Sequence, residues 1–248
     1  MNQPAEQDST EIQTHNVGQR DYYSQRKPVR MAATDSAYVR LHFNRACGAV
    51  GLGPVDSVLE VGAGMGRFTR LFAAQGNAVT AVELSPALAE DCRKTLAPWP
   101  GAAVLTADLL DAPALLTRRY DVVAGFFMLH HLTRLDRHFT AIKELLKPGG
   151  RCVFIEPNPW NPLYAVQITC TPGMKWSEEV GIYNLKPAKV RCLAAAAGLT
   201  GCMLQRYGFF PRWLHNKAAP SGLNPWLEKC TPEGLRPFQI ITATRPIA

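Results

Sequence analysis

Hydrophobic and polar positions along the chain follow two periods in turn. Short continuous apolar runs alternate with longer stretches whose apolar residues recur every three or four positions: "SVLEVG", "RFTRLFAAQG", "AVTAVEL", "PALAEDCRKTL", "AAVLTAD", "YDVVAGFFML", "LTRLDRHFTAIKELLKPGG" and "RCVFIE". The first kind predicts strands and the second helices, a β-α-β-α succession. The strands lack strict apolar/polar alternation, so both their faces should be covered, as in a parallel sheet with helices on either side. The expected fold is α/β and doubly wound, with a Rossmann-like sheet.

Local signals fix the register. In "TDSAYVRLHFNRACGAVG", Tyr38, Leu41, Phe43, Ala46 and Val50 keep helical spacing after polar starters and before glycine, which predicts a helix ahead of the first strand. Ser85 followed by Pro86 is N-cap and first-turn chemistry and starts a helix directly after the second strand. Leu132, Leu135, Phe139, Ile142 and Leu146 predict another helix, which "KPGG" should end. Residues 1–21 are polar and aperiodic and are expected to be a flexible tail, leaving one domain over residues 22–248. Two connections exceed the length of turns: Pro157 to Leu185, and Phe209 to Pro237, both rich in aromatics. Loops of that length are usually functional, so each is expected to be a lid over a pocket.

Composition narrows the class. With 248 residues, 47% of them hydrophobic, the chain can bury one substantial core. No apolar run reaches the length of a membrane span, and the polar start has neither the basic patch nor the apolar core of a signal peptide, so a cytoplasmic protein is expected. The seven cysteines form no C-x-x-C pair, and neither a metal site nor a disulfide framework is predicted. A net charge of +7 is spread over 27 dispersed Lys and Arg residues and does not single out an anionic partner.

Candidate chemistry begins at "SVLEVGAGMGRF". Gly62, Gly64 and Gly66 follow a strand and precede a helix, an arrangement that lets a ligand approach bare backbone and unpaired N–H groups at a helix start. Arg67 stands where a dinucleotide-binding G-x-G-x-x-G would need its third glycine, and no G-x-x-x-x-G-K-[ST] phosphate loop occurs. The stretch "VLEVGAGMGRFT" resembles the first motif of class I S-adenosylmethionine-dependent methyltransferases, small-molecule type, and "YDVVAGFFMLHHL" and "LLKPGGRCVFIEP" resemble that family's later motifs. The resemblance covers Val58 to Pro157. It implies a seven-stranded sheet and S-adenosyl-L-methionine as cofactor, leaving as S-adenosyl-L-homocysteine. It also implies that Glu83 binds the ribose hydroxyls beside Leu84, that Asp108 meets the adenine amino group with Leu109 against the ring, and that Gly62, Ala63, Gly64, Gly66 and Phe126 line the cofactor, with Glu60 in support.

Methyl transfer needs an aligned acceptor and exclusion of water, with a base only where the acceptor must lose a proton. His130 and His131 end the fourth strand, where open α/β sheets bind ligands. Neighbours in an extended chain point opposite ways, and in the matching segment of many small-molecule methyltransferases a histidine stands at the position of His131, so His131 is the expected base. The alternative is that both histidines pack against the cofactor. Glu156, Trp160, Tyr164, Trp176 and Tyr183, with Phe210 and Trp213 from the second insertion, are expected to bind a partly apolar acceptor, and Tyr22 and Tyr23 to fold over the cofactor. The expected partner is a small molecule methylated on oxygen or nitrogen, the protein being a monomer or homodimer. A nucleic-acid-modifying enzyme is less favoured, because no Asn/Asp-Pro-Pro-aromatic motif follows the fourth strand and no cysteine follows a proline. A protein that binds the cofactor without methylating remains a further alternative.

Overall fold

The computed structural model describes residues 12–21, 31–170, 176–209, 215–217 and 223–247. Its frame is a seven-stranded sheet of β1 (Ser57–Val61), β2 (Ala78–Glu83), β3 (Ala103–Thr106), β4 (Tyr120–Phe126), β5 (Leu146–Pro157), β6 (Thr200–Tyr207) and β7 (Phe238–Thr244). The strand order is β3-β2-β1-β4-β5-β7-β6. Strands β1 to β5 pair in parallel, whereas β7 runs antiparallel to both β5 and β6. The wholly parallel sheet expected from the apolar runs therefore holds for five strands. Consecutive strands β6 and β7 lie side by side, and an antiparallel pair needs no crossover helix between them.

Ten helices are labelled among the described residues: α1 (residues 12–21), α2 (Ala37–Val50), α3 (Thr69–Ala74), α4 (Pro86–Leu96), α5 (Ala112–Leu115), α6 (Leu135–Leu145), α7 (Pro162–Cys170), α8 (Trp176–Glu179), α9 (Pro187–Ala196) and α10 (Leu223–Cys230). None is long and apolar enough to cross a membrane. They cover the sheet on two faces. On one, Val39, Phe43 and Phe72 pack with Val58, Val122 and Val153; on the other, Phe139, Ile142 and Val190 pack with Leu59, Val123 and Phe154. Adjacent residues of β1, Val58 and Leu59, thus belong to opposite cores, as the period of two in a strand requires.

The local signals act as predicted at two helix starts. The Ser36 hydroxyl accepts from Val39 N at 3.3 Å to cap α2, and Gly51, at φ 57°, ends that helix. Ser85 caps α4 with Pro86 in its first turn. Helix α6 ends at Leu145, before "KPGG", which belongs to β5. Both insertions contain helices: α7, α8 and a 3-10 turn over Val180–Asn184 in the first, α10 in the second. The expected tail also departs from the pattern, since residues 12–21 are helical. Their only large apolar side chains are Ile12 and Val17, too few to draw a helical stripe. Tyr22, Tyr23, Phe210 and Trp213 lie outside the described residues.

The strand order reverses between β1 and β4, with β2 and β3 on one side and β5 on the other. In an open α/β sheet such a switch point leaves a crevice beyond the carboxyl ends of the strands.

Candidate functional site

At the crevice, the turn after β1 requires glycine. Gly62, Gly64 and Gly66 adopt φ of 66°, 56° and 79°, a region that side chains with a Cβ disfavour. A Cβ on Gly62 would meet Met128 Cβ at 2.8 Å, and one on Gly64 would meet the terminal methyl of Met31 at 2.8 Å. The N–H groups of the loop are engaged within the protein, contrary to the open cradle expected from the sequence. Gly62 N and Ala63 N donate to Val82 O at 2.9 and 3.2 Å, and Gly66 N donates to Ala63 O at 3.0 Å. Gly64 N donates to Glu83 Oε2 at 2.7 Å. The loop is therefore fastened to the end of β2, and suits a ligand with no phosphate to be held by backbone N–H groups.

Glu83 sits at this junction, its second oxygen accepting from Ser85 N at 2.9 Å. Burial raises its pKa, against bonds from the backbone of Ser85, Gly64 and Leu84 that favour the carboxylate. Each carboxylate oxygen keeps a lone pair for a further donor. Glu60 is deeper: Thr69 Oγ1 donates to it at 2.5 Å, and burial lifts its pKa to about 8, so it is mostly a neutral acid at pH 7. At the end of β3, Asp108 accepts from Leu110 N at 2.9 Å and from the Asn16 side-chain amide of α1. Leu109 is buried beside it, Leu84 is half-buried, and Phe126 stacks on Phe68 with ring centres 3.8 Å apart. The cofactor residues expected from the sequence thus converge on the carboxyl ends of β1, β2, β3 and β4.

Beyond β4 the chain makes a 3-10 turn over Leu129–His131. Glu156, expected to meet an acceptor, instead points inward and braces this turn. It is fully buried, accepts from Met128 N at 2.9 Å and Leu129 N at 2.7 Å, and lies 2.5 Å from His130 Nδ1. On the other side of the His130 ring, Nε2 is 3.3 Å from Glu179 of α8, which also accepts from the Tyr164 hydroxyl of α7 at 2.5 Å. Burial alone would depress the His130 pKa; Glu156 and Glu179 outweigh it and raise it to about 9. Glu179 is itself disfavoured by burial, yet His130 holds its pKa down at about 2. His130 is therefore an imidazolium held between two carboxylates, unsuited to take a proton at neutral pH. His131 is half-buried, its ring centre 4.0 Å from that of His130. The first insertion seats closely here, for a Cβ on Gly181 would come within 1.9 Å of His130 O.

Of the expected acceptor aromatics, the structure brings Tyr164 into this network, while Trp160, Trp176 and Tyr183 remain 52%, 43% and 41% exposed. A different ring cluster lines the inner end of α2. Tyr38 stacks on Phe127 at 6.5 Å, His42 stands edge-on to Phe127 at 5.0 Å and to Phe238 at 4.5 Å, and His42 Nδ1 is 2.5 Å from the Tyr207 hydroxyl. Burial drives the His42 pKa well below that of free histidine, so its ring is neutral. Phe127 has φ 57°, the one positive φ outside glycine among the described residues, and such local strain concentrates at functional sites. Tyr38 and His42 belong to the buried face of α2; the sequence marked Tyr38 only by its helical spacing and did not single out His42. Glu179, in a stretch with no periodic pattern, carried no signal in the sequence.

A family model described as a methyltransferase domain matches residues 59–152. The chain carries a methyltransferase domain. An uncharacterized methyltransferase of Oceanobacillus iheyensis is 33% identical over 125 residues, 48% of this chain and 56% of that protein. A demethylmenaquinone methyltransferase of Tropheryma whipplei is 32% identical over 117 residues, 46% of this chain and 48% of that protein. The chain thus spans about half the length of these curated relatives. Among solved structures, phosphoethanolamine N-methyltransferase 2 of Haemonchus contortus, with S-adenosylhomocysteine bound, superposes at a TM-score of 0.62 with 13% identity, over 92% of this chain and 60% of that one. That likeness establishes the fold. The Cβ-free loop, its N–H groups bonded within the protein, and the carboxylates ending β2 and β3 fit S-adenosylmethionine as the cofactor.

Proposed function

We propose that the protein transfers a methyl group from S-adenosylmethionine to a small, partly apolar molecule. The junction of Gly64 with Glu83 carries this reading: a glycine loop pinned to a buried carboxylate at the end of the neighbouring strand holds acceptor oxygens ready for a vicinal diol. In it Glu83 takes the ribose hydroxyls, Asp108 the adenine amino group, and Glu60, from within β1, the ammonium of the methionyl end. When bound, the cofactor supplies a methyl group made electrophilic by its sulfonium. The chain's own work is alignment and exclusion of water, with α7, α8 and the Val180–Asn184 turn walling the acceptor side. His131, next to an imidazolium that cannot itself accept a proton, is the residue proposed to take the acceptor's proton. The rings of Tyr38 and Phe127, backed by the fully buried, neutral His42, supply an apolar wall for the acceptor.

Calorimetry with S-adenosylhomocysteine tests the cofactor half. Wild type should bind, and Glu83→Ala should bind at least tenfold more weakly, having lost charge-assisted hydrogen bonds of roughly 1.5–3 kcal/mol each. Unchanged affinity would remove Glu83 from the site. In the same series His131→Ala should bind normally, yet lower methyl transfer to an identified acceptor by about 10²- to 10⁴-fold. Transfer at the wild-type rate would leave alignment as the whole mechanism.

A further inference from the structure

Helix α1 makes contacts that methyl transfer does not call for. Asn16 Nδ2 donates to Asp108 Oδ2, and His15 Nε2 lies 2.6 Å from the main-chain oxygen of His131. A carbonyl oxygen only accepts, so His15 carries its proton on Nε2 in this contact. Farther along, the terminal methyl of Met31 lies against Gly64. Residues of the amino-terminal segment thus touch the ends of β1, β3 and β4, the strand ends over which the cofactor is proposed to lie.

The contact at Asp108 has the chemistry of the ligand itself. Oδ1 accepts from Leu110 N at 2.9 Å, and Oδ2 accepts from the Asn16 amide. A primary amide offers a planar nitrogen with two hydrogens, the same kind of donor as the exocyclic amino group of adenine. We propose that Asn16 stands in for adenine: α1 closes the cofactor site of the free protein, and the cofactor enters as the amide leaves Asp108. The inference rests on the methyltransferase reading and adds to it a built-in competitor. Helix α1 is suited to yield. It is ten residues long, Val17 is exposed, and Gly18 lies within it. A glycine inside a helix weakens it by about 1 kcal/mol relative to alanine, a factor of roughly five in stability. The apparent affinity for cofactor is then the intrinsic one multiplied by the fraction of molecules with α1 undocked.

Titration of S-adenosylhomocysteine into the full chain, wild type and Asn16→Ala, decides the matter. Removing the competitor should tighten binding about three- to tenfold, and Asn16→Asp, which sets a like charge against Asp108, should tighten it at least as much. Hydrogen exchange over residues 12–21 should be slow in free wild type and faster once S-adenosylhomocysteine is bound. Affinity in Asn16→Ala equal to or weaker than wild type would overturn the gate and leave the cofactor reading standing. Absence of binding by wild type and both variants would overturn the cofactor reading and the gate together.

Discussion

At the scale of single residues, the site is governed by where burial and charge disagree. Glu60 has one hydroxyl partner and no cation in hydrogen-bond contact among the contacts described, so burial prevails and it is mostly protonated at pH 7. His130, equally buried, has two carboxylates, and there charge prevails. The contrast yields a prediction for Glu60. If it receives the cofactor's ammonium, that cation will favour its ionised form, and binding will expel a proton. S-adenosylhomocysteine should then bind more tightly as pH rises from about 6 towards 8. Near pH 7, calorimetric heats should differ between buffers of different ionisation enthalpy by close to one proton, and Glu60→Gln should abolish the difference. Equal heats in both buffers for wild type would sink the idea. The position of Glu60 inside a glycine-ended strand was legible in the sequence; its protonation was not, because that depends on which cations the fold brings near.

At the scale of elements, the first insertion is less a free flap than a wall bolted to the turn after β4. Tyr164 on α7 and Glu179 on α8 reach His130, and Gly181 lets the following turn sit against the His130 carbonyl. Glu179→Gln keeps the size and the hydrogen-bond capacity but removes the ion pair. It should speed amide exchange across residues 176–185 about tenfold or more, the loss of a charge-assisted hydrogen bond, while β1 and β4 stay unchanged. Equal exchange in this segment would show the contact to be incidental. The elements of the sheet were readable because apolar runs, Ser85–Pro86 and the glycine turn are local signals. The wall was not, since Tyr164, Glu179 and His130 are joined only by the fold. Helix α1 escaped for a related reason: it is fastened by Asn16 and His15 to polar atoms of other elements, and such bonds leave no period in the sequence.

At the scale of the whole molecule, the buried charges make stability depend on pH. The His130 pKa rises on folding from 6.5 to about 9, so its contribution is fully present below about 6.5 and is lost as pH climbs through 9. The Glu179 pKa falls from 4.5 to about 2, so its share is present above about 4.5 and lost as pH drops through 2. The Glu60 pKa rises from 4.5 to about 8, so its share is fully present only below about 4.5 and is lost as pH climbs through 8. Urea unfolding should therefore show a maximum near pH 4.5, a gradual fall from there to pH 6.5 as Glu60 loses its share, and a steeper fall towards pH 9 as His130 joins it, several kcal/mol in all. His130→Gln should be less stable at pH 6 and show a shallower alkaline slope. A midpoint unchanged between pH 6.5 and 9 in wild type would mean that the imidazolium is not held as described.

Gly181 has a consequence for anyone who would rebuild this protein for new acceptors. Because the insertion is proposed to wall the acceptor side, exchanging it with the corresponding segment of a relative is the natural route to altered selectivity. Any residue other than glycine at that position would bring a Cβ to 1.9 Å from the His130 carbonyl and push the graft off its seat. Chimaeras that keep a glycine there should dock, and those that do not should fold around the sheet yet leave the pocket without its wall.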